Sequence, residues 1–444
     1  MKNIEQLEQK LDDFNPAHRR EALDALAGLV HAGNIALPPP GVEHNLHAHT
    51  FFSYNAYGYS PSRFAWQARR AGLFAAGIVD FDVLDGLEEF QAARGLLGLK
   101  GCVGLETRVF VPEFAARVIN SPGEPGVAYT MGLGFARRKI PAAAEQFLTG
   151  LRQTAEQRNR DLLGRVNAVL QPVVVDYTRD LLPLTPAGNA TERHICRAYA
   201  RQAAGLFHAP EALEKFWVAK LGAEARGLDF PEGAKIQNLI RAKTMKKGGV
   251  GYVQPGPGSF PALADFNRFV LSCGAIPALC WLDGASDGEQ RIEELLRVAM
   301  AAGNAALTII PDRNVKPGVQ DQKLKNLYRV VDLAQQLHLP ITVGTEMNSP
   351  GNKFVDAFET AELKPLTPVF LKGAHIACAH AALQREGGRG YLSAWALQNY
   401  PRAADRNAYF EHVGRALAPA REGALAALPP DATPAQVMAA AGIK

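Results

Sequence analysis

Residues 43–53 read Glu43-His44-Asn45-Leu46-His47-Ala48-His49-Thr50-Phe51-Phe52-Ser53 and follow a Pro-Pro-Pro-Gly break. This pattern predicts a short strand that runs out into a loop. His47 and His49 stand two residues apart, so in a strand both imidazoles project from one face. Together they could chelate Zn, Mn or Fe, and one or two carboxylates from neighbouring strands would complete a hydrolytic site. Taken alone, the pair is equally consistent with structural histidines.

The segments after His49 alternate between helical and strand patterns. Residues 61–71 predict a helix, and residues 74–79 predict a buried strand that ends at Asp80-Phe81-Asp82. Further strands are predicted at 102–105 (leading to Glu106), 128–135, 275–282, 305–310 and 341–344. Strand, helix and strand of parallel sense form the unit of a βα barrel, which places the chain in the α/β class.

The run His47-Ala48-His49-Thr50-Phe51-Phe52-Ser53 resembles the His-x-His-Thr-x-x-Ser opening of the PHP (polymerase and histidinol phosphatase) family of metal-dependent phosphoesterases. The resemblance extends from about residue 42 to residue 348. It implies a distorted TIM-like (βα)7 barrel of PHP type, with metal ligands at the C-terminal ends of its strands. It also implies a helical insertion like that of the family branch that acts on nucleotides and short oligonucleotides.

The same resemblance implies a divalent metal cofactor, Mn, Zn or Fe. Its candidate ligands in this chain are His47, His49, Glu106 and Glu346, with His194 as a helix residue that could face the site. Asp80 or Asp82 is the candidate general base. Arg313, after the strand at 305–310, is a candidate contact for an anionic substrate.

Several positions depart from the family pattern. The residues Phe81, Met131 (or its neighbour Thr130), Trp281 and Asn348 stand where the family has histidines. A three-metal cluster is therefore not expected, and a single metal is. Replacement ligands are conceivable at Asp283, and at Cys378 and His380 if residues 373–380 form a strand.

Two functions remain open on this evidence. The first is a metal-dependent hydrolase, a phosphoesterase that acts on a small phosphorylated metabolite or nucleotide through metal-activated water. The alternative is a degenerate relative that binds a sugar or nucleotide, or catalyses a metal-assisted lyase or isomerase step. Phe81 and Trp281 favour this alternative, because aromatic rings in a barrel mouth stack on sugars and bases.

The sequence divides into four regions. We predict an N-terminal helical hairpin at 1–36, a barrel at 42–139 and 248–400, a helical insertion at 140–247 and a C-terminal helical tail at 401–444. The hairpin suits packing or contact between subunits of a homo-oligomer. The basic clusters at 137–139 and 241–247 could attract phosphate or could be solvated helix faces.

Composition is that of an ordinary globular enzyme, with 47% hydrophobic and 21% charged residues in 444. A net charge of +4 does not indicate a nucleic-acid partner beyond short oligonucleotides, nor a membrane partner. The five cysteines lack any Cys-x-x-Cys pair and are interpreted as reduced core thiols. Without an apolar run of membrane-spanning length or a signal-like start, a cytoplasmic enzyme is predicted.

Overall fold

The computed structural model describes residues 2–256, 258–315 and 321–443. Among these residues, seven strands form one sheet whose spatial order follows the chain order. The strands are β1 His44–Ala48, β2 Ala75–Phe81, β3 Lys100–Phe110, β4 Val127–Leu133, β5 Ile276–Trp281, β6 Ala306–Ile309 and β7 Ile341–Val343.

Helices surround this sheet and extend beyond it. They are α1 Lys2–Lys10, α2 Pro16–His31, α3 Pro61–Arg70, α4 Leu87–Leu96, α5 Ala142–Leu170, α6 Glu192–Leu206, α7 Pro210–Leu221, α8 Ala234–Thr244, α9 Leu263–Ser272, α10 Asp287–Gln290, α11 Ile292–Ala301, α12 Asp321–Gln336, α13 Thr367–Gly387, α14 Ala394–Asn399, α15 Ala403–Ala416 and α16 Pro434–Ala441. No helix in the described part of the chain is both long and apolar enough to cross a membrane.

The first and last strands meet and nearly close the sheet into a barrel. Ala48 and Glu346 form a parallel bridge. The His49 amide donates to the Glu346 carbonyl at 2.8 Å, and the Glu346 amide donates to the His47 carbonyl at 2.8 Å. The mixed α/β fold with a nearly closed barrel confirms the sequence prediction at that level.

One strand breaks the predicted parallel repeat. β4 pairs antiparallel with both β3 and β5, whereas the other neighbours in the sheet are parallel. A parallel connection needs a crossover segment, usually a helix, to return to the same end of the sheet. The link from β3 to β4 holds only the short 3₁₀ turn Pro112–Phe114, so β4 runs back beside β3.

Helix α13 lies against the barrel end opposite the C-terminal ends of the parallel strands. It packs on β1, β3, β7 and α15. It contains Cys378 and His380, so the prediction that these two residues share a strand face is wrong. Small residues such as Gly373 occur on this helix because a helix, and not an eighth strand, covers the barrel end and packs closely against it.

The helices between residues 142 and 244 build an apolar cluster of their own. Its buried members include Leu163, Val166, Tyr199, Trp217 and Ile240. Asn189, just before α6, ties this region to the barrel, because its side-chain amide donates to the carbonyls of Phe52 and Phe81 at 3.1 and 2.8 Å. The helical region therefore stands over the C-terminal end of β2.

We expect Gly373→Ala to destabilise the protein by about 1–3 kcal/mol or more, as overpacking of a close contact does. A Cβ at Gly373 would lie 1.6 Å from the Ile341 carbonyl oxygen, so α13 would have to move away from β7. Chemical denaturation measures this cost. The matched control is Gly95→Ala in α4, where a Cβ meets nothing within 4 Å and should be neutral or stabilising. Equal stability of the two variants would contradict the expectation.

Candidate metal centre

Two histidines and one glutamate converge inside the mouth of the barrel. His47 and His49 come from the C-terminal end of β1, and Glu106 comes from the middle of β3. His47 Nε2 lies 3.3 Å and His49 Nε2 lies 3.1 Å from Glu106 Oε2. All three side chains are buried, and among the described residues they form the group of three or more His, Cys, Asp or Glu donors that could hold a metal ion.

These spacings match those of a metal's ligands. In a tetrahedral zinc site, nitrogen and oxygen ligands about 2.0–2.1 Å from the ion stand about 3.3 Å from each other. His49 Nε2 is buried without a hydrogen-bond partner in the structure, although it lies next to a carboxylate. The two nitrogen-to-oxygen separations are therefore compatible both with direct hydrogen bonds to Glu106 and with ligands that share one cation.

The loop after β1 fixes the orientation of His49. Asp80 accepts hydrogen bonds from the Thr50 amide, the Thr50 hydroxyl and the Ser53 hydroxyl, at 2.7–2.8 Å. Ser53 Oγ lies 3.0 Å from His49 Nδ1. Because the Ser53 proton is given to Asp80, His49 Nδ1 must carry its own proton and donate to Ser53. The lone pair is then left on Nε2, as a metal ligand requires.

The charges in the cluster favour cation binding. Burial alone would raise the pKa of Glu106, but His47 and His49 outweigh it and lower that pKa to about 2. Burial opposes the charging of His47, yet the Glu106 carboxylate raises the pKa of that imidazole. The lowered pKa of Glu106 and the raised pKa of His47 describe a carboxylate paired with charged imidazole, so a metal ion would bind here by displacing the imidazole protons.

The two candidate general bases have different surroundings. Burial raises the pKa of both Asp80 and Asp82. Asp80 is 3% exposed, and its oxygens are occupied by the three bonds that orient the loop. Asp82 is less buried and accepts from the Thr107 hydroxyl at 2.5 Å. Besides burial, the charges of Arg158 and Glu106 act on the pKa of Asp82 in opposite directions.

Glu346 stands beside the centre but outside the converging group. Its carboxylate lies 3.4 Å from Arg313 Nη2 and adds negative charge near His47. Its backbone adopts a positive φ of 62°, which the bridge to β1 holds in place. The structure thus places Arg313 and Glu346 together at the mouth as an ion pair.

His194 has a structural partner instead. Its Nδ1 accepts from the Thr191 amide at 3.1 Å and closes a capping box at the start of α6. Burial lowers the pKa of its imidazole to about 3, and its ring packs edge-on against Tyr54. The structure does not bring His194 into the group formed by His47, His49 and Glu106.

Phe81, Met131 and Trp281 stand at positions where the PHP pattern has histidines. The first two lie in the barrel lumen, and the third does not. The Phe81 ring stacks on His49 at 4.3 Å between centroids, and Met131 pairs with Glu106 across β3 and β4. Trp281 is 1% exposed and belongs to the core between barrel and outer helices. The idea that Trp281 stacks on a ligand in the mouth is therefore wrong, because alternation along β5 turns its side chain outward. Asp283 likewise pairs with Lys323 on α12, at 2.7 Å.

Cations gather above the metal centre, where the helical region meets the barrel. We name this group the basic rim: Arg108, Arg158, Arg193, Arg241 and Lys246. Arg108 stands two residues beyond Glu106 on β3, so it shares the lumen face, and both Arg108 and Arg158 stack on Phe260 at 4.3 and 4.8 Å. Arg241 and Lys246 both bond Glu192, at 2.9 and 2.7 Å. These two cations thus share one carboxylate, and their side chains remain 31% and 43% exposed.

Glu192 is the counter-charge of the rim, and its loss should change the acid sensitivity of the fold. Burial would raise its pKa, but Lys246, Arg241 and Arg108 lower it to about 2. A depressed carboxyl pKa stabilises the native state above the unfolded value of about 4.5, and this stabilisation disappears as pH falls towards about 2. We expect Glu192→Gln to be less stable than the parent at pH 7, with the gap closing towards pH 2. Urea denaturation at several pH values measures this gap.

The exposed glutamate Glu224, paired with Lys243 in the same region, provides the matched control. Glu224→Gln should leave the pH profile of stability unchanged. If both variants lost stability relative to the parent by the same pH-dependent amount, Glu192 would have no particular role in the acid sensitivity of the fold.

The sequence contains a second catalytic pattern, but the serine of this pattern has a structural role in the fold. Residues 284–288 read Gly-Ala-Ser-Asp-Gly, which matches the Gly-x-Ser-x-Gly pattern of serine hydrolases. In the structure, Ser286 Oγ donates to the Ile119 carbonyl and accepts from the Glu289 amide as the cap of α10. No histidine takes part in the hydrogen bonds described for this serine, so it has no activating base.

Sequence reasoning missed two groups that the structure places at the centre. Ser53 is part of the quoted motif, but its link from Asp80 to His49 appears only in three dimensions. Arg108 could have been found from the two-residue period of a strand, since it follows Glu106 at i+2.

Comparison with known proteins gives structural likeness only. No family model matches the chain, and no curated protein matches it significantly. An amidohydrolase from Chromobacterium violaceum, solved with bound sulfate and no metal, is 17% identical with a TM-score of 0.48; the match covers 74% of this chain and 96% of that one. A protein from Bifidobacterium adolescentis described as a metal-dependent phosphoesterase is 17% identical with a TM-score of 0.48, covering 75% and 98% of the two chains.

Proposed function

We propose that this protein is a PHP-type, metal-dependent phosphoesterase that acts on a small phosphorylated metabolite or nucleotide. The observation that carries the proposal is the convergence of His47, His49 and Glu106 at ligand-like distances, in a buried site at the C-terminal end of β1. The fitting ions are Zn, Fe and Mn, because imidazole and carboxylate donors suit all three. A divalent ion held there would supply a Lewis acid and an activated water at neutral pH.

The basic rim supports an anionic substrate. Burial lowers the pKa of Arg158, Arg193 and Lys246, because it disfavours a positive charge that is removed from water. An added anion would relieve this cost. Guanidinium groups bind phosphate oxygens in a bidentate manner, and the stacking of Arg108 and Arg158 on Phe260 holds their planes in place.

The roles of the chain's own residues follow from these positions. Arg108 and Arg158 would bind the phosphate group and hold it above Glu106. Asp82 would accept a proton at its carboxylate, since burial raises its pKa and the charges of Arg158, Arg108 and Glu106 all act on it. Asp80 and Ser53 would hold His49 in the required tautomer. Arg313 would contact the far side of the substrate beside Glu346.

The direct test combines elemental analysis with a panel of nucleotides and sugar phosphates. Protein loaded with Zn, Mn or Fe should hold near-stoichiometric metal and release phosphate from at least one member, and a chelator should abolish the release. Stoichiometric metal with no phosphate release from any member would contradict the phosphoesterase proposal. It would leave the alternative that the site binds a sugar or nucleotide or catalyses a metal-assisted lyase or isomerase step, for which Phe81 in the lumen is the favouring observation.

We expect Arg158→Gln to raise KM for the phosphorylated substrate by about 10–100-fold, with a smaller change in kcat. Hydrogen bonds to charged groups contribute about 1.5–3 kcal/mol, and substrate binding would lose at least one of them. Steady-state kinetics measures both constants.

The control for this prediction is Arg268→Gln, at an exposed arginine of α9 that pairs with Asp265. It should leave KM unchanged. If Arg158→Gln also leaves KM unchanged, the rim does not bind the substrate's anionic group.

A further inference from the structure

Tyr129 lies on the lumen face of β4, nearer the mouth than the metal centre. It pairs directly with Arg108 across β3 and β4, and the next residue pair on that face joins Glu106 and Met131. Its ring packs against the apolar cluster that contains Met131 and lies 6.2 Å from the Phe81 ring, between centroids. Two residues of strand, about 7 Å, therefore separate the level of Tyr129 from that of Glu106, which leaves room for a phosphate group.

The Tyr129 hydroxyl keeps its proton and has no partner among the described residues. Burial raises the pKa of this phenol, so it is neutral at ordinary pH. The residue is half-buried, and its described hydrogen bond to a side chain comes from the backbone amide, which donates to Asn120 at 2.7 Å. The charged groups that act on the hydroxyl belong to both the basic rim and the metal centre: Arg108, Arg241, Glu192 and Glu106.

Other proton carriers at this level are already engaged. The hydroxyls beside the centre donate to buried carboxylates, Thr50 and Ser53 to Asp80 and Thr107 to Asp82. The arginines of the basic rim hold their protons, because a guanidinium group is not deprotonated in proteins. A tyrosine hydroxyl, in contrast, can transfer its proton to a reacting oxygen.

We propose that Tyr129 is the general acid that protonates the leaving group of the substrate. The inference rests on the proposed phosphoesterase function and deepens it. In phosphoryl transfer the attacking and leaving oxygens stand roughly in line, so attack from the side of Glu106 places the leaving oxygen on the side of the mouth. Tyr129 stands at that level of the lumen.

The step balances without any further reactant. The water oxygen forms a bond to phosphorus and gives a proton to Asp82, and the bond between phosphorus and the leaving oxygen breaks. The electron pair of the broken bond stays on the leaving oxygen, which takes the Tyr129 proton and departs as an alcohol. Asp82 then releases its proton to solvent, and the tyrosinate regains one.

The first experiment compares Tyr129→Phe with the parent on two metal-loaded reactions. On the sugar phosphate or nucleotide that the parent hydrolyses fastest, the leaving group is an alkoxide, and kcat should fall by about a hundredfold or more. On p-nitrophenyl phosphate kcat should stay nearly unchanged, because nitrophenolate leaves as a stable anion. The matched control is Tyr409→Phe on α15, which removes a buried hydroxyl without a partner and should leave both rates unchanged.

The second experiment measures binding and does not depend on catalysis. Its ligand is the phosphonate analogue of the same ester, in which a methylene group replaces the bridging oxygen. A methylene group accepts no hydrogen bond, so the parent and Tyr129→Phe should bind this analogue with equal affinity in titration calorimetry. Elemental analysis should also find equal metal in the two proteins, because phenylalanine keeps the ring and its packing.

The outcomes separate this inference from the proposed function. Equal effects of Tyr129→Phe on the two esters, including no effect on either, overturn the role of Tyr129 and leave the phosphoesterase proposal standing. Weaker binding of the phosphonate by Tyr129→Phe also overturns it, because the hydroxyl would then contact the phosphate oxygens and not the leaving oxygen. A metal-loaded parent that releases phosphate from no sugar phosphate or nucleotide overturns both proposals together.

Discussion

The His47→Ala/His49→Ala double variant is expected to purify without divalent metal and to lose phosphate release by more than about a hundredfold, because even residues that only support metal ligands cost about 10–100-fold. Both imidazoles meet at the same oxygen of Glu106, at 3.3 and 3.1 Å. Their removal leaves that carboxylate with neither of the nitrogen donors. Elemental analysis of the parent and the variant, loaded in parallel with Zn, Mn and Fe, measures the loss directly.

A third histidine on the same strand provides the control. His44 is as buried as the other two, but its Nδ1 lies 3.0 Å from the Val42 carbonyl and its ring stacks on Phe358. His44→Ala should therefore lower stability and retain the metal. Stoichiometric metal in the double variant would show that the converging group is not the binding site.

The second large effect is expected from Glu106→Gln, which changes one oxygen to an amide nitrogen and keeps the shape of the side chain. Metal affinity should fall by more than about a hundredfold, because the variant loses the only charged donor of the three and an amide is a weak ligand. The fold should persist, because the volume in the lumen is unchanged. Metal titration and thermal unfolding of the same preparations measure the two effects.

Glu289→Gln should show the opposite pattern. Glu289 is 2% exposed, and its carboxylate accepts the amides of Leu282, Asp283 and Gly284 at the end of β5. Its amide variant loses acceptor capacity for those three donors, so stability should fall by about 1–3 kcal/mol while metal affinity is kept. If Glu289→Gln lost the metal and Glu106→Gln kept it, the assignment of the centre would be wrong.

Much of the barrel could be predicted from the chain because its strands are short buried runs separated by helical patterns. β2, β4, β5, β6 and β7 lie within two residues of their predicted bounds, and β1 lies inside the stretch 43–53 that was predicted to contain a strand. The direction of β4 relative to its neighbours could not be predicted in this way, because that direction depends on whether the connection before the strand crosses over the sheet. The same limit applies to residues 373–380, whose apolar and small composition suits a strand and a buried helix equally.

Part of the candidate site could likewise be predicted from the sequence, and part of it depends on the tertiary structure. The pairing of His47 with His49 is a local matter, since residues two apart in a strand share a face, and the sequence alone was enough to determine it. The sequence also predicted a strand at 102–105 that leads to Glu106, but the observed strand spans Lys100–Phe110, so Glu106 lies within it and not after it. What lies next to Glu106 depends on register between strands and on the direction of each side chain. Those features place Cys280 beside Glu106 and turn Trp281 away from it.

The sequence by itself therefore determined the class of fold and the two histidines that share one strand face, because each depends on periodicity along single segments. Only the tertiary structure decided that Asp80 orients His49 through Ser53 and that five cations of the barrel and the helical region form one rim. These arrangements join residues that are tens to hundreds of positions apart. Their distances are set by how helices and strands pack, and no single segment of the chain contains that information.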